Sequence, residues 1–161
     1  MARRLRVLVA VTSLLTVLSP ASAGHVAGAS HSAATDAAFV ERLVHQVSLD
    51  LFVSTAGTAA DPWFDWSTDG CSAPLVGSTG RSFDFRAACR RHDFGYRNLK
   101  LLERRYGAGS TYWNGTSRAR VDARLRADTR AHCQTRPWYE RYTCLGWSET
   151  FYAAVRAAGG P

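Results

Sequence analysis

Lysine is almost missing from this chain: Lys100 is the only one among 20 basic residues, so the positive charge is nearly all arginine. Also missing is an apolar run of roughly 20 residues, the length a membrane-spanning helix needs. The stretch from Val7 to Leu18 falls well short of it. No segment repeats and no run of alternating strands stands out, which argues against solenoid and all-β architectures. Cysteine is confined to Cys71, Cys89, Cys133 and Cys144. No two of them have the two-to-four-residue spacing that zinc sites favour. Gly-x-Ser-x-Gly, the elbow that presents a nucleophilic serine, is absent as well.

What is present first sets the compartment. Arg3, Arg4 and Arg6 precede the apolar run, and Ser19-Pro20-Ala21-Ser22-Ala23 ends it in an Ala-x-Ala pattern. This is the three-part plan of a signal peptide cleaved after Ala23, and it predicts a secreted, extracellular protein. Arg3-Arg4 also permits a twin-arginine route. Removing residues 1–23, which hold three arginines and no acid, takes the formal charge from +7 to +4 and leaves 138 residues. That length suits one domain. Hydrophobic content of 46% and charged content of 20% are globular values. A mild cationic surface suits anionic lipid and nucleic acid equally. Four cysteines in an oxidising compartment read as two disulfides, with three connectivities open.

Residues 24–35 are small and polar and predict a flexible linker, with the folded domain occupying 36–161. From Asp36 to Phe52, Phe39, Val40, Leu43, Val44, Val47 and Leu51 recur at helical spacing, with Thr35 as N-cap. Asp61 to Gly80 holds two prolines and several glycines and serines, and reads as irregular. A helix from Phe83 to Glu103, capped by Ser82, gathers Phe85, Ala88, Cys89, His92, Tyr96 and Leu99 within an arc of about 100°. Asn114-Gly115 reads as a tight turn, and Asn114-Gly115-Thr116 as a glycosylation acceptor. Helices from Ser117 to Cys133, with Val121, Leu125 and Ala131 apolar, and from Trp147 to Ala158, stopped by Gly159, complete an all-α domain.

The chemistry concentrates on the second helix. His92 sits mid-stripe, where a plain core histidine is the competing reading. Asp93 lies about 100° round the helix, at the stripe's edge, and Tyr96 shares the histidine's face. The segment Phe64-Asp65-Trp66-Ser67-Thr68-Asp69-Gly70-Cys71 precedes it. If Cys71 pairs with Cys89, Asp69 and Gly70 come close to Asp93, and carboxylates plus loop carbonyls form an all-oxygen site that favours Ca²⁺. The competing readings are a turn or cap role for Asp69 and an Asp93–Arg97 pair. An imidazole base needs a carboxylate on its other nitrogen. Asp122 is the candidate, Asp128 the rival, and pairing of Asp122 with Arg118 or Arg126 the alternative.

Cys89-Arg90-Arg91-His92-Asp93-Phe94-Gly95-Tyr96-Arg97-Asn98 resembles the active-site helix of the bacterial and fungal secreted phospholipases A2. The Phe64–Cys71 segment resembles that family's calcium loop, and Ser117-Arg118-Ala119-Arg120-Val121-Asp122 the stretch holding its second aspartate. The likeness spans roughly Trp63 to Tyr152. It implies a small disulfide-stapled fold in which two long antiparallel helices carry the site behind a calcium loop. It implies His92 as base, Asp122 as its orienter, Tyr96 in support, and Ca²⁺ on Asp69, Asp93 and the Gly70 carbonyl. It also implies the pairs Cys71–Cys89 and Cys133–Cys144, and a monomer working at a phospholipid membrane or micelle interface with no nucleic-acid partner. Venom and pancreatic phospholipases share Cys-x-x-His-Asp but have a glycine-rich loop and more cysteines, so the likeness is to the microbial branch. The helix before Trp63 is outside these motifs.

Without that likeness the residue types still suit ester hydrolysis by activated water: a base, a cation at the developing oxyanion, and no nucleophilic serine. Trp63, Trp66, Trp113, Trp138 and Trp147 offer interfacial anchors, with Trp66 and Trp147 expected in the core. Two other functions fit less well. A metal-dependent nuclease lacks a paired-metal carboxylate cluster, and a silent binding module has no reason to keep His92, Asp93 and Asp122 together.

Overall fold

Ser32 opens the first helix. Its hydroxyl accepts from the Thr35 amide while the Thr35 hydroxyl accepts from the Ser32 amide, so two otherwise orphaned N–H groups are satisfied at once. The computed structural model describes residues 30–58, 60–70 and 83–158. The expected signal peptide, most of the expected linker, Cys71 and its pairing, the Ser82 cap and Gly159 lie outside the described residues. Helix α1 spans Ala33–Glu41 and so begins within the stretch read as linker.

The single helix expected over Asp36 to Phe52 is in fact three pieces. α1 passes into a π turn, Arg42–Gln46, the chain extends at Val47 (φ −89°, ψ 160°), and α2 runs Leu49–Thr58. The cause is tertiary. In an unbroken helix the Val47 carbonyl would accept from Leu51. Here it accepts instead from Nη1 of Arg91 at 2.9 Å and Nη2 of Arg124 at 3.4 Å, while Ser48 Oγ takes the Leu51 amide at 3.2 Å. Leu51, expected inward, is 51% exposed.

Helix α3, Arg86–Tyr106, starts and ends three residues later than its periodicity suggests. Asp84 sets the start, its carboxylate accepting from the Arg86 amide at 3.0 Å. After α3, the Glu103 carboxylate takes the amides of Tyr112 and Trp113 (2.5 and 3.1 Å) and shapes the turn. Asn114 then proves to be a cap and not a tight turn. Its side chain accepts from Thr116 and Ser117 amides at 3.0 Å, and Ser117 Oγ accepts from Asn114 N, opening α4, Gly115–Gln134. Helix α5 spans Trp138–Ala158, nine residues longer than the sequence pattern indicated. Its first turns hold the exposed Trp138, Tyr139 and Tyr142, which carry no apolar period, and Ala131 on α4 is exposed too.

α3 and α4 run antiparallel, as Arg91 meets Asp128 while Glu103 meets the segment leading into α4. Gly95 permits their close approach: a Cβ there would lie 2.9 Å from Val121 Cγ1 and 3.3 Å from Val44 Cγ2. One core, with Val40, Leu43, Val44, Phe52, Phe64, Phe94, Leu102 and Val121, joins α1, α2 and the 60–70 segment to α3. The other, with Phe83, Phe85, Leu125 and Phe151, packs around Cys89 and the Cys133–Cys144 disulfide. Cys89 is itself disulfide-bonded. The described residues are thus an all-helical, disulfide-stapled domain, and none of their helices is long and apolar enough to cross a membrane.

Candidate active site

α3 is buried on most of its circumference at mid-length, and Arg91, His92, Asp93 and Asn98 there each find a partner on another element. His92 Nε2 meets Asp122 Oδ1 at 2.9 Å across the α3–α4 interface, and Tyr96, one turn on, donates its hydroxyl to the same oxygen at 2.5 Å. The other Asp122 oxygen accepts from Arg156 Nη1 at 2.8 Å. Asp122 is fully buried. Burial alone would raise its pKa, but hydrogen bonds from His92, Tyr96 and Arg156 hold it below the usual carboxylate value. An ionised Asp122 fixes the tautomer. Nε2 carries the proton, and Nδ1 is left as the acceptor.

Nδ1 faces Asp93, whose Oδ1 is 3.9 Å away, too far for a hydrogen bond. Burial works against charge on His92, yet the Asp122 bond and the negative charges of Asp122 and Asp93 prevail and hold the imidazole above its ordinary pKa. Asp93 Oδ2 accepts from Thr68 Oγ1 at 2.5 Å and from the Asp69 amide at 3.1 Å. Desolvation opposes its ionisation, but His92, Thr68 and the Asp69 amide together lower its pKa. The 60–70 segment is therefore laid directly on the helix turn bearing Asp93. Gly70 takes φ 71°, a left-handed backbone suited to glycine, and donates its amide to Thr68 Oγ1 at 3.0 Å.

Asn98 seats this segment. It is fully buried, its Oδ1 accepts from the Asp65 amide at 2.9 Å, and its Nδ2 donates to the Asp65 and Phe94 carbonyls, each at 2.8 Å. Asp65, Asp69, Asp93 and Tyr96 line an open cleft of about 380 Å³ with Arg97, Lys100 and Arg104. A second groove of about 380 Å³, more apolar, lies among α1, α3 and α4, and His92, Asp93 and Asp122 do not line it.

The structure thus brings His92, Tyr96, Asp93 and Asp122 together and places Asp69 in the cleft that Asp93 and Tyr96 line. The alternatives separate cleanly. Asp128 does not approach His92; it forms a buried pair with Arg91 at 2.5 Å. Arg97 reaches Asp69 (3.8 Å), and Arg126 pairs with Glu149. Arg118 Nε does come within 3.7 Å of Asp122. Among the tryptophans, Trp66 packs on Phe94 with centroids 4.6 Å apart, and Trp147 packs partly buried against the second core. Trp113 meets Tyr96 edge-on at 4.9 Å, while Trp138 is 81% exposed. Phe94 is buried against Phe52 and Trp66.

Sequence reasoning missed several of these partners. Asn98 stands inside the quoted motif but had no role there. Arg156 gave no local signal, since its partner is 34 residues away. In the sequence Asp36 marks only the start of a helical stretch. It is buried and joins His31 (2.9 Å), Trp63 Nε1 (2.6 Å) and Tyr106 (2.9 Å).

The model of the prokaryotic phospholipase A2 family matches residues 40–159. The chain belongs to that family. It is 30% identical to a secretory phospholipase A2 of Arthroderma benhamiae over 91% of this chain and 95% of that protein. To a secretory phospholipase A2 of Beauveria bassiana it is 34% identical over 60% of this chain and 44% of that protein. The family match begins at Val40, near the end of α1, so it also takes in the π turn and α2, which lie before Trp63 and which no motif had covered.

Proposed function

We propose that this protein is a secreted, calcium-dependent phospholipase A2 that hydrolyses the sn-2 ester of glycerophospholipids at a membrane or micelle surface. The observation that carries the reading is the two-sided environment of His92. Nε2 is tied to the ionised Asp122 at 2.9 Å, and Nδ1 is left 3.9 Å from Oδ1 of Asp93, a residue that lines the carboxylate-rich cleft. In this reading Nδ1 takes a proton from water as it attacks the ester carbonyl. Asp122 holds the ring in register and stabilises the imidazolium, and Tyr96 helps to fix Asp122. The proton then returns to the departing alcohol.

The residues present fit a calcium site. Asp93 and Asp69 share one cleft, and the main chain of residues 65–70 lies against Asp93, so the donors on offer are hard oxygens of the kind calcium takes. Among the described residues no three histidine, cysteine or acidic side chains form a ready-made cage, so main-chain oxygens such as that of Gly70 have to complete the set. Bound there, calcium would polarise the ester carbonyl and stabilise the developing oxyanion. Secretion is supported by the leader-like residues 1–23 and by the printed names of the two fungal relatives.

Release of fatty acid from phospholipid vesicles tests the whole reading. Release that stops with a chelator and returns with added calcium is expected. No release under any condition would overturn the assignment, and release indifferent to the chelator would overturn the calcium site.

A further inference from the structure

Asp122 has two oxygens, and the His92–Asp122 contact uses only one of them. Oδ1 serves both His92 and Tyr96, while Oδ2 accepts from Arg156 Nη1 at 2.8 Å. A second arginine, Arg118, lies four positions before Asp122 on α4. Its Nε stays 3.7 Å from Oδ2, and its Nη2 donates instead to the Arg156 main-chain carbonyl at 2.5 Å. Arg118 thus holds the backbone of the residue that bonds the carboxylate. We infer that Arg156, near the end of α5, is a positioning residue for the His92–Asp122 pair; this rests on the phospholipase reading above.

The physical reason is rotation. A carboxylate held at one oxygen can turn about Cβ–Cγ, and terminal torsions of this kind are soft. With Oδ2 clamped by a charged donor, Oδ1 keeps its place on the imidazole. The clamp also compensates a negative charge that is fully removed from solvent, which a buried carboxylate requires. Arg156 does not line the cleft formed by Asp65, Asp69, Asp93, Tyr96, Arg97, Lys100 and Arg104. Its loss should therefore change turnover and leave substrate binding alone.

The test measures kcat and KM of wild type, Arg156→Ala, Arg156→Gln and Arg156→Lys on a monomeric short-chain phospholipid with calcium. It also records the deshielded proton of His92 Nε2–H by NMR and helix content by circular dichroism. Arg156→Ala should lose on the order of 10- to 100-fold in kcat, as outer partners of an orienting carboxylate do, with KM within about twofold. The His92 proton should move upfield, Arg156→Lys should recover most of the rate, and Arg156→Gln should fall between. Wild-type kcat in folded Arg156→Ala would overturn the inference. So would a loss that Lys does not relieve while the proton resonance stays in place. Should Arg156→Ala fail to fold, wild-type kcat in Arg156→Gln would overturn it equally. If wild type itself releases no fatty acid, the phospholipase reading falls and this inference with it; if wild type turns over normally, only the inference is at stake.

Discussion

Asp128→Ala should unfold the protein at markedly lower temperature without removing its chemistry. Arg91 is 1% exposed; its Nε and Nη2 donate to the two Asp128 oxygens at 2.9 and 2.5 Å, and its Nη1 to the Val47 carbonyl. Arg124 sits 3.2 Å from the same carboxylate and is partly exposed, so it can relax into solvent. Arg91 cannot. Removing Asp128 strands a buried guanidinium, and breaking such a pair from one side costs roughly 3–5 kcal/mol. For a domain of this size that corresponds to a fall in Tm on the order of 10–15 °C. Replacing both partners, Arg91→Met with Asp128→Leu, should recover part of the loss. Recovery is incomplete because the Val47 carbonyl would keep only its longer bond to Arg124. The assay is thermal unfolding by circular dichroism, with turnover measured well below the midpoint. Asp128→Ala should retain turnover there, whereas Asp122→Ala should lose it. An unchanged Tm would refute the burial argument. Loss of turnover in Asp128→Ala but not in Asp122→Ala would return Asp128 to the orienting role.

His92→Ala and His92→Gln should fold normally and lose nearly all hydrolysis; substantial remaining turnover in a folded variant would remove His92 from the mechanism. Asp93→Asn should lower both calcium affinity, read by calorimetry, and turnover, with high calcium restoring part of the rate, whereas calcium should do nothing for His92→Ala. Wild-type calcium affinity and rate in Asp93→Asn would exclude Asp93 as a ligand. Asp36 is one of the carboxylates that contribute to acid stability. Burial opposes its charge, but bonds from His31, Trp63 and Tyr106 depress its pKa below the ordinary carboxylate value. A depressed folded pKa adds stability above the unfolded value, and that stability is lost as pH falls through the folded one. Unfolding free energy of wild type should thus decline more steeply than that of Asp36→Asn as pH drops below about 4; parallel curves would contradict this.

The sequence made legible whatever depended on spacing along one element. The stripe through His92 and Tyr96 came from helical periodicity, and α3 places those residues on the Asp122 side as the period requires. Choosing Asp122 over Asp128 was beyond spacing, because both lie on α4 and both are buried. Only the α3–α4 register decides it, and Gly95 against Val121 sets how closely those helices pack. The break at Val47 was hidden for a related reason. The apolar period continues straight through it, and the interruption comes from two arginines on other helices. The early start of α5 was hidden because Trp138, Tyr139 and Tyr142 face solvent and show no apolar stripe. Arg156 was out of reach for the same cause as Asn98: each acts across a tertiary contact, with a partner more than 30 residues away.

The grip of Asn98 on Asp65 is made entirely through the peptide groups of that residue, one N–H and one C=O. A side-chain amide offers the same paired acceptor and donor as the edge of a strand, so the loop is held as a sheet would hold it, without a sheet. Such a seat does not read the side chain at position 65. Substitutions there alter the charge of the cleft and the turn that the Asp65 carboxylate makes with the Ser67 amide, while these two peptide bonds to α3 stay available. The attachment and the tuning of the cleft are therefore separable properties of one short segment.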